Sequence, residues 1–189
     1  MGPEPSSAGT GGHVAESWRL PYGEARPYAE PVRLLEREHP LDVLTERARR
    51  AVAGDGSLVL LAGEPGIGKT VLLRAFASAL REPPLWGMCD ALSTPRPLGP
   101  LRDVAVDLGA PLPDLLREGA PQHEVFAAVL AALRDRPRTL IVEDLHWADE
   151  ATADLVRFLA RRIAGTPSLM VVSYRGRGRS GPPARAGPR

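Results

Sequence analysis

The octapeptide GEPGIGKT, residues 63–70, constrains the fold of this chain more than any other segment. It follows the apolar run SLVLLA and precedes KTVLLRAFASAL, whose apolar residues recur with helical spacing. A glycine-rich turn between a strand and a helix is typical of α/β proteins. The octapeptide also contains the only lysine among the 24 lysines and arginines of this 189-residue chain. The segment therefore predicts a strand–turn–helix unit whose turn needs a lysine rather than an arginine.

Apolar runs and helical segments alternate through the centre of the chain. Such alternation predicts a parallel sheet covered by helices on both faces. Because SLVLLA is a short run that is apolar after its first residue and is bounded by glycines, we expect it to be a buried strand. We predict helices over 40–53, 69–80, 121–134 and 149–164, strands over 57–62, 85–89, 139–142 and 168–173, and a loop with short helices over 95–119.

The bulk composition excludes several classes of protein. One cysteine, Cys89, leaves no internal disulfide framework and indicates a reducing compartment. The N-terminus lacks the basic and apolar regions of a signal peptide, and no apolar run approaches the roughly 18 residues of a membrane span. The net charge of +1 creates no overall field for nucleic acid or membrane. We therefore expect a cytoplasmic protein with no membrane partner.

The two ends of the chain differ in composition from its centre. Residues 1–32 are rich in Gly, Pro, Ser and Ala, and the C-terminal RGRGRSGPPARAGPR contains no large apolar residue. We predict a disordered tail at 1–32, a globular domain at 33–175 and a disordered basic tail at 176–189. The alternative for the basic tail is a nucleic-acid-binding arm, although it lacks an aromatic residue for stacking.

GEPGIGKT has the residues that phosphate binding requires. Gly63, Gly66 and Gly68 allow a tight turn and a close approach of the backbone to an anion. The helix beginning near Lys69 adds its positive dipole end, Lys69 can reach the β- and γ-phosphates, and Thr70 can offer its hydroxyl to Mg²⁺. The alternative, a turn without a ligand, would not need Lys-Thr after its last glycine. The predicted binding residues are Gly63, Glu64, Pro65, Gly66, Ile67, Gly68, Lys69 and Thr70.

A second constellation, TLIVEDLHWADE at residues 139–150, joins an apolar strand to two acids, Glu143 and Asp144. An α/β fold places ligand chemistry at the carboxyl edge of its sheet, where this strand ends. One carboxylate can hold Mg²⁺ and the other can polarise an attacking water, and the spacing leaves open which does which. The alternative is a pair of solvated acids. We predict Thr70, Glu143 and Asp144 as metal-binding candidates, and Lys69, Glu143 and Asp144 as catalytic candidates.

Three further residues follow the acidic pair. We interpret Trp147 as a packing aromatic in a loop, His146 as a partner in a loop hydrogen bond, and Asp149 as a helix N-cap. A role in sensing or positioning a nucleotide is the alternative for each of them.

GEPGIGKTVLLRAFA and LIVEDLHWADEATADLVRFLARR together resemble the AAA-type ATPase domain of large LuxR-type bacterial transcriptional regulators, which belong to the signal-transduction ATPases with numerous domains (STAND). The resemblance covers about 33–175. It implies a P-loop NTPase fold, a three-layer αβα sandwich with a mostly parallel sheet. It also implies that the domain binds ATP with Mg²⁺ and that nucleotide state controls its assembly. By resemblance, Glu143 takes the usual place of a Mg²⁺-binding acid, Asp144 that of the catalytic acid, and Arg175 that of an arginine contacting the γ-phosphate.

The sequence departs from this family after SYR, where the family continues with a helical lid, a winged helix, a repeat region and a helix-turn-helix. We expect a truncated copy or gene fragment, the alternative being a stand-alone domain. Because a lid excludes water from the nucleotide, we expect weak ATP binding and slow or negligible hydrolysis. The expected partners are ATP and ADP, with self-association through the ATPase domain and no DNA-binding element in this chain.

Two rival functions stay open. The first is a non-catalytic nucleotide-binding or interaction module. The second is a small-molecule kinase with the same loop, although DLHWAD is not typical of such kinases.

Overall fold

The computed structural model describes residues 38–176, apart from residues 93 and 95. Its sheet consists of four parallel strands in the order β1-β4-β3-β2. The strands are β1 Ser57–Gly63, β2 Leu85–Met88, β3 Thr139–Glu143 and β4 Leu169–Arg175. Because all four run in the same direction, their carboxyl ends lie along one edge of the sheet.

In the described residues, six α-helices connect and cover these strands. They are α1 Glu38–Val52, α2 Lys69–Ala79, α3 Gly99–Leu108, α4 Leu112–Glu118, α5 Gln122–Asp135 and α6 Glu150–Ala160. A single 3₁₀ turn, Leu145–Trp147, links β3 to α6. None of the helices in the described part of the chain is long and apolar enough to cross a membrane.

The alternating side chains of the inner strands build two separate cores. Along β3 and β4, Ile141 and Val171 pack with α1 and α2, whereas Val142 and Val172 pack with α3 to α6. All four are 4% exposed or less, which accounts for the near-continuous apolar sequence of these strands. The predicted α/β sandwich of three layers is therefore confirmed.

The position of β1 is where the sequence prediction was wrong. SLVLLA does form a strand, but β1 lies at the edge of the sheet and pairs only with β4 among the described strands. Leu60 is 56% exposed, Ala62 is also exposed, and the other β1 residues are only partly covered. An apolar run without alternation resembles a central strand, so the sequence could not show that one side of β1 has no neighbour among the described strands.

The segment predicted as a loop with short helices does contain two helices, α3 and α4, and α3 contacts both α4 and β2. The remaining differences concern the ends of elements. Helix α6 ends at Ala160 rather than 164, and Pro121 precedes α5 instead of opening it. The disordered tails predicted at 1–32 and 176–189 lie outside the described residues, except for Gly176.

Candidate nucleotide-binding site

The glycine loop connects β1 to α2 and adopts a conformation that its glycines make possible. Gly66 and Gly68 have φ angles of 76° and 84°, in the left-handed region that residues with a Cβ avoid. A Cβ at Gly63 would lie 2.8 Å from Cγ2 of Ile67, so a larger residue there would displace the Ile67 side chain. The loop ends at the first turn of α2, where the N–H groups of a helix start and the helix dipole favour an anion.

Lys69, the first residue of α2, folds back onto this loop. Its Nζ donates hydrogen bonds to the backbone oxygens of Gly63 at 2.9 Å and Glu64 at 3.1 Å. These carbonyls keep the ammonium beside the loop rather than extended into solvent. The predicted phosphate-binding residues are therefore brought together in one short segment.

Thr70 and Glu143, which are 73 residues apart in the sequence, are in direct contact. The Thr70 hydroxyl donates to Oε1 of Glu143 at 2.7 Å. Glu143 is only 3% exposed, and its Oε2 accepts a second hydrogen bond from Nε1 of Trp86 at 3.0 Å. Its backbone oxygen also accepts from the amide of Cys89 at 3.0 Å. The carboxylate thus lies buried between the start of α2 and strand β2.

Asp144 follows Glu143 directly but lies in a different environment. It has a φ of 56° and a ψ of 46°, which turns the chain sharply at the end of β3. Its amide donates to Oγ of the buried Ser173 on β4 at 3.0 Å, so the neighbouring strand holds this turn. The Asp144 side chain is 40% exposed. One acid of the pair is therefore buried and the other faces solvent.

Sequence reasoning missed Trp86 and Ser173. Each occupies a strand position of ordinary appearance, in LWGM and LMVVSYR. The available signal was a polar or N–H-bearing side chain near the carboxyl end of a strand, where the site of an α/β fold lies. Nothing in the spacing indicated which neighbours these side chains would contact.

Arg175 is the last residue of β4. It pairs in register with Gly63, the first residue of the glycine loop, and its side chain is exposed. The strand therefore brings this arginine to the same edge of the sheet as the loop.

The predictions for His146, Trp147 and Asp149 have different outcomes. Asp149 is the N-cap of α6, as predicted, and its Oδ2 accepts from the amide of Thr152 at 3.2 Å. Trp147 is 42% exposed and tilts against the ring of His146, with a centroid distance of 5.1 Å. The Nδ1 of His146 lies 3.9 Å from Oδ1 of Asp144, which is longer than a hydrogen bond.

The donors in this region fit a magnesium ion bound together with a nucleotide. The part of the chain that the structure describes contains no cluster of three or more His, Cys, Asp or Glu residues suited to a metal. Mg²⁺ usually binds through one or two protein oxygens, with phosphate and water oxygens completing its octahedron. The hydroxyl of Thr70 and the carboxylate of Glu143 are a donor set of this kind.

The fold and this geometry together define a P-loop NTPase domain: a parallel sheet, a glycine loop opening a helix, and an acid at the end of another strand. The sequence model of the AAA ATPase domain matches residues 33–172. The chain belongs to this family.

Many solved structures resemble this chain, and two of them serve as examples. Cdc6p from Pyrobaculum aerophilum has a TM-score of 0.56 and 23% identity, covering 79% of this chain and 42% of that protein. PCH-2 from C. elegans has a TM-score of 0.42 and 14% identity, covering 76% of this chain and 38% of that one. The first likeness supports the fold.

Two curated proteins resemble it in sequence. An uncharacterized protein of Rhizobium meliloti (strain 1021) is 31% identical over 75% of this chain. The tRNA modification GTPase MnmE of Polaromonas sp. is 32% identical over 70% of it. The chain spans 18% and 25% of the lengths of these two relatives, so they are much longer proteins.

Proposed function

We propose that this domain binds ATP together with Mg²⁺ and acts as a nucleotide-controlled switch in a LuxR-type transcriptional regulator. The observation that supports the binding site best is the 2.7 Å hydrogen bond between Thr70 and Glu143. It joins the end of the phosphate loop to the end of β3, which are the two elements that must meet to hold a metal–nucleotide complex. A glycine turn without a ligand would not need this contact.

The phosphate loop and Lys69 bind the phosphates. Lys69 exchanges its contacts with the carbonyls of Gly63 and Glu64 for phosphate oxygens, which are stronger, charged acceptors. Thr70 and Glu143 hold the cation. When bound, Mg²⁺ neutralises phosphate charge and orients the γ-phosphate.

Asp144 and Arg175 act at the γ-phosphate of the nucleotide. Because Asp144 faces solvent while Glu143 is buried, Asp144 is the acid that can polarise an attacking water. The Arg175 guanidinium, at the end of the strand beside β1, can bridge two oxygens of the γ-phosphate. Without turnover, the same residues would support a binding switch rather than an ATPase.

Lys69→Ala tests the phosphate site. We expect its affinity for a fluorescent ATP analogue to fall at least about 10-fold, because a hydrogen bond that involves a charged group contributes about 1.5–3 kcal/mol. Arg74→Ala is the matched control because Arg74 is an exposed cation on the same helix, and its affinity should equal that of the unsubstituted protein. Equal affinity in Lys69→Ala and Arg74→Ala would contradict the assignment. A parallel titration with GTP decides the base preference.

Phosphate release then separates a switch that turns over from one that only binds. We expect slow release that Asp144→Asn abolishes while nucleotide binding is retained. Binding without any release, in both proteins, would assign a non-catalytic role to the domain.

The regulatory part of the proposal rests on the resemblance of the DLHWAD segment and its surroundings to LuxR-type regulators. In such a switch, the nucleotide controls self-association through the ATPase domain. Light scattering of the chain with ATP·Mg²⁺ and with ADP should give different masses. Identical masses in both states would argue against a switch based on assembly of this domain.

A further inference from the structure

Glu143 accepts a hydrogen bond at each of its two carboxylate oxygens. Oε1 accepts from Thr70 at 2.7 Å and Oε2 accepts from the indole N–H of Trp86 at 3.0 Å. Glu143 is 3% exposed as a residue, and a buried carboxylate without such donors carries a large desolvation cost. The two donors differ, because a threonine hydroxyl can also offer its lone pairs to a cation whereas an indole can only donate.

The fold fixes Trp86 in place. Trp86 pairs in register with Ile141 on β3, and Glu143 is two residues further along β3, so both side chains lie on the same face of the sheet. The Trp86 ring packs against the core formed with α1 and α2, which includes Ile141. A ring held by packing presents its N–H in one direction, whereas a flexible donor would follow the carboxylate.

We propose that Trp86 is a positioning residue for the cation site, and this inference rests on the proposed function. Its indole N–H donates a hydrogen bond to Oε2 of Glu143 and so fixes the orientation of the carboxylate plane. Oε1 then faces Thr70 and is the oxygen that remains for the cation. Neighbouring groups that orient a metal ligand in this way commonly change metal affinity 10- to 100-fold when removed.

Trp86→Phe tests this role, because phenylalanine keeps a packing ring and removes only the N–H. We expect nucleotide affinity without Mg²⁺ to stay the same, and the gain in affinity on adding Mg²⁺ to fall about 10-fold. Trp147→Phe removes an indole N–H from an exposed position and should leave that gain unchanged. The same Mg²⁺-dependent gain in Trp86→Phe and in the unsubstituted chain would overturn the inference. If the unsubstituted chain did not bind nucleotide, that result would instead overturn the proposed function.

A double-mutant cycle shows whether Trp86 acts through Glu143. In a Glu143→Gln background, Trp86→Phe should cause no further loss of the Mg²⁺-dependent gain. An additional loss of the same size as in the unsubstituted chain would show that Trp86 acts by another route and overturn the inference.

Fluorescence gives a readout that leaves Trp86 in place and so does not depend on the folding of Trp86→Phe. The chain has three tryptophans, and Trp18→Phe with Trp147→Phe leaves Trp86 alone. Mg²⁺ added to this nucleotide-bound variant should change the tryptophan emission, and Glu143→Gln should remove the change. Unchanged emission at saturating Mg²⁺ would overturn the inference.

Discussion

At the scale of single residues, the two adjacent acids at the end of β3 illustrate how the backbone assigns environments. Glu143 continues the strand and points to the α2 side, where Thr70 and Trp86 meet it. Asp144 has a left-handed backbone conformation, which aspartate tolerates better than most residues. Its backbone amide donates a hydrogen bond to the Ser173 hydroxyl. A single turn of the chain therefore separates a buried carboxylate from an exposed one.

Asp149 is a cap whose energetic contribution can be measured. Its carboxylate accepts from the amides of Thr152 and Leu98, both at 3.2 Å, and contacts the Thr152 hydroxyl closely. We predict that Asp149→Ala lowers the free energy of unfolding by about 1–2 kcal/mol in urea denaturation. Asp154→Ala, which removes an exposed ion pair with Arg157 on the same helix, should change it by less than about 0.5 kcal/mol. Equal losses in the two variants would show that the cap has no special contribution.

Cys89 gives a prediction about pH. Burial, and after it the charge of Asp149, raises the pKa of the Cys89 thiol from its ordinary value of 9.0 to about 12. Because folding raises this pKa, the contribution to stability is complete below about pH 9 and is lost as pH rises towards 12. The urea concentration at the unfolding midpoint should therefore decrease as the pH rises from 8 to 10.5. The decrease should be smaller in Cys89→Ala. An identical fall in both proteins would exclude the thiol as a cause.

At the scale of elements, the strands differ in how much of their apolar sequence the fold covers. Strand β4 lies between β1 and β3, and its first five residues are buried. Strand β1 has a similar composition but lies at the edge, with Leu60 more than half exposed. The same residue types therefore contribute different amounts to stability in the two strands.

Two leucines test this difference. Leu73 on α2 is fully buried, so Leu73→Ala should lower the free energy of unfolding by about 2–5 kcal/mol. Leu60→Ala should lower it by less than about 1 kcal/mol, because Leu60 is 56% exposed. Urea denaturation compares the two variants directly. A cost for Leu60→Ala close to that for Leu73→Ala would show that the β1 edge is covered in solution.

At the scale of the whole domain, the parallel sheet brings distant segments to one edge. The glycine loop at the end of β1, the two acids at the end of β3 and Arg175 at the end of β4 all lie at the carboxyl ends of their strands. A ligand that contacts several of these segments stabilises the domain as a whole, since it binds the folded state and not the unfolded chain.

We therefore predict that ATP·Mg²⁺ stabilises the whole domain against heat. At 100 times its Kd, the ligand should add about 2.7 kcal/mol, which corresponds to a rise in Tm of roughly 5–10 °C. A thermal melt of Lys69→Ala at the same ligand concentration should show a smaller rise. A Tm that does not respond to nucleotide in the unsubstituted chain would contradict the proposed site.

Most of the fold was predictable because periodicity and turn residues are local signals. The loop 63–70, the helix that follows it and the Asp149 cap could be recognised from adjacent residues alone. The exposed position of β1 and the bounds and packing of α3 and α4 could not be recognised in this way, because sheet order and the packing of a proline-interrupted segment depend on non-local contacts. For the candidate site, the residue types were predictable from the sequence. The spacing of Glu143 and Asp144 did not show which of them is buried beside Thr70 and which faces solvent.

The sequence by itself determined the strand–loop–helix unit with its single lysine, and the two acids at the end of a second apolar strand. Glycines, a lysine and carboxylates have chemical properties that do not depend on distant neighbours. Only the tertiary structure decided that Glu143 meets Thr70 and Trp86, and that Asp144 turns towards solvent. Those outcomes depend on which strands are neighbours and on the register between them, and the chain determines both only when its layers pack together.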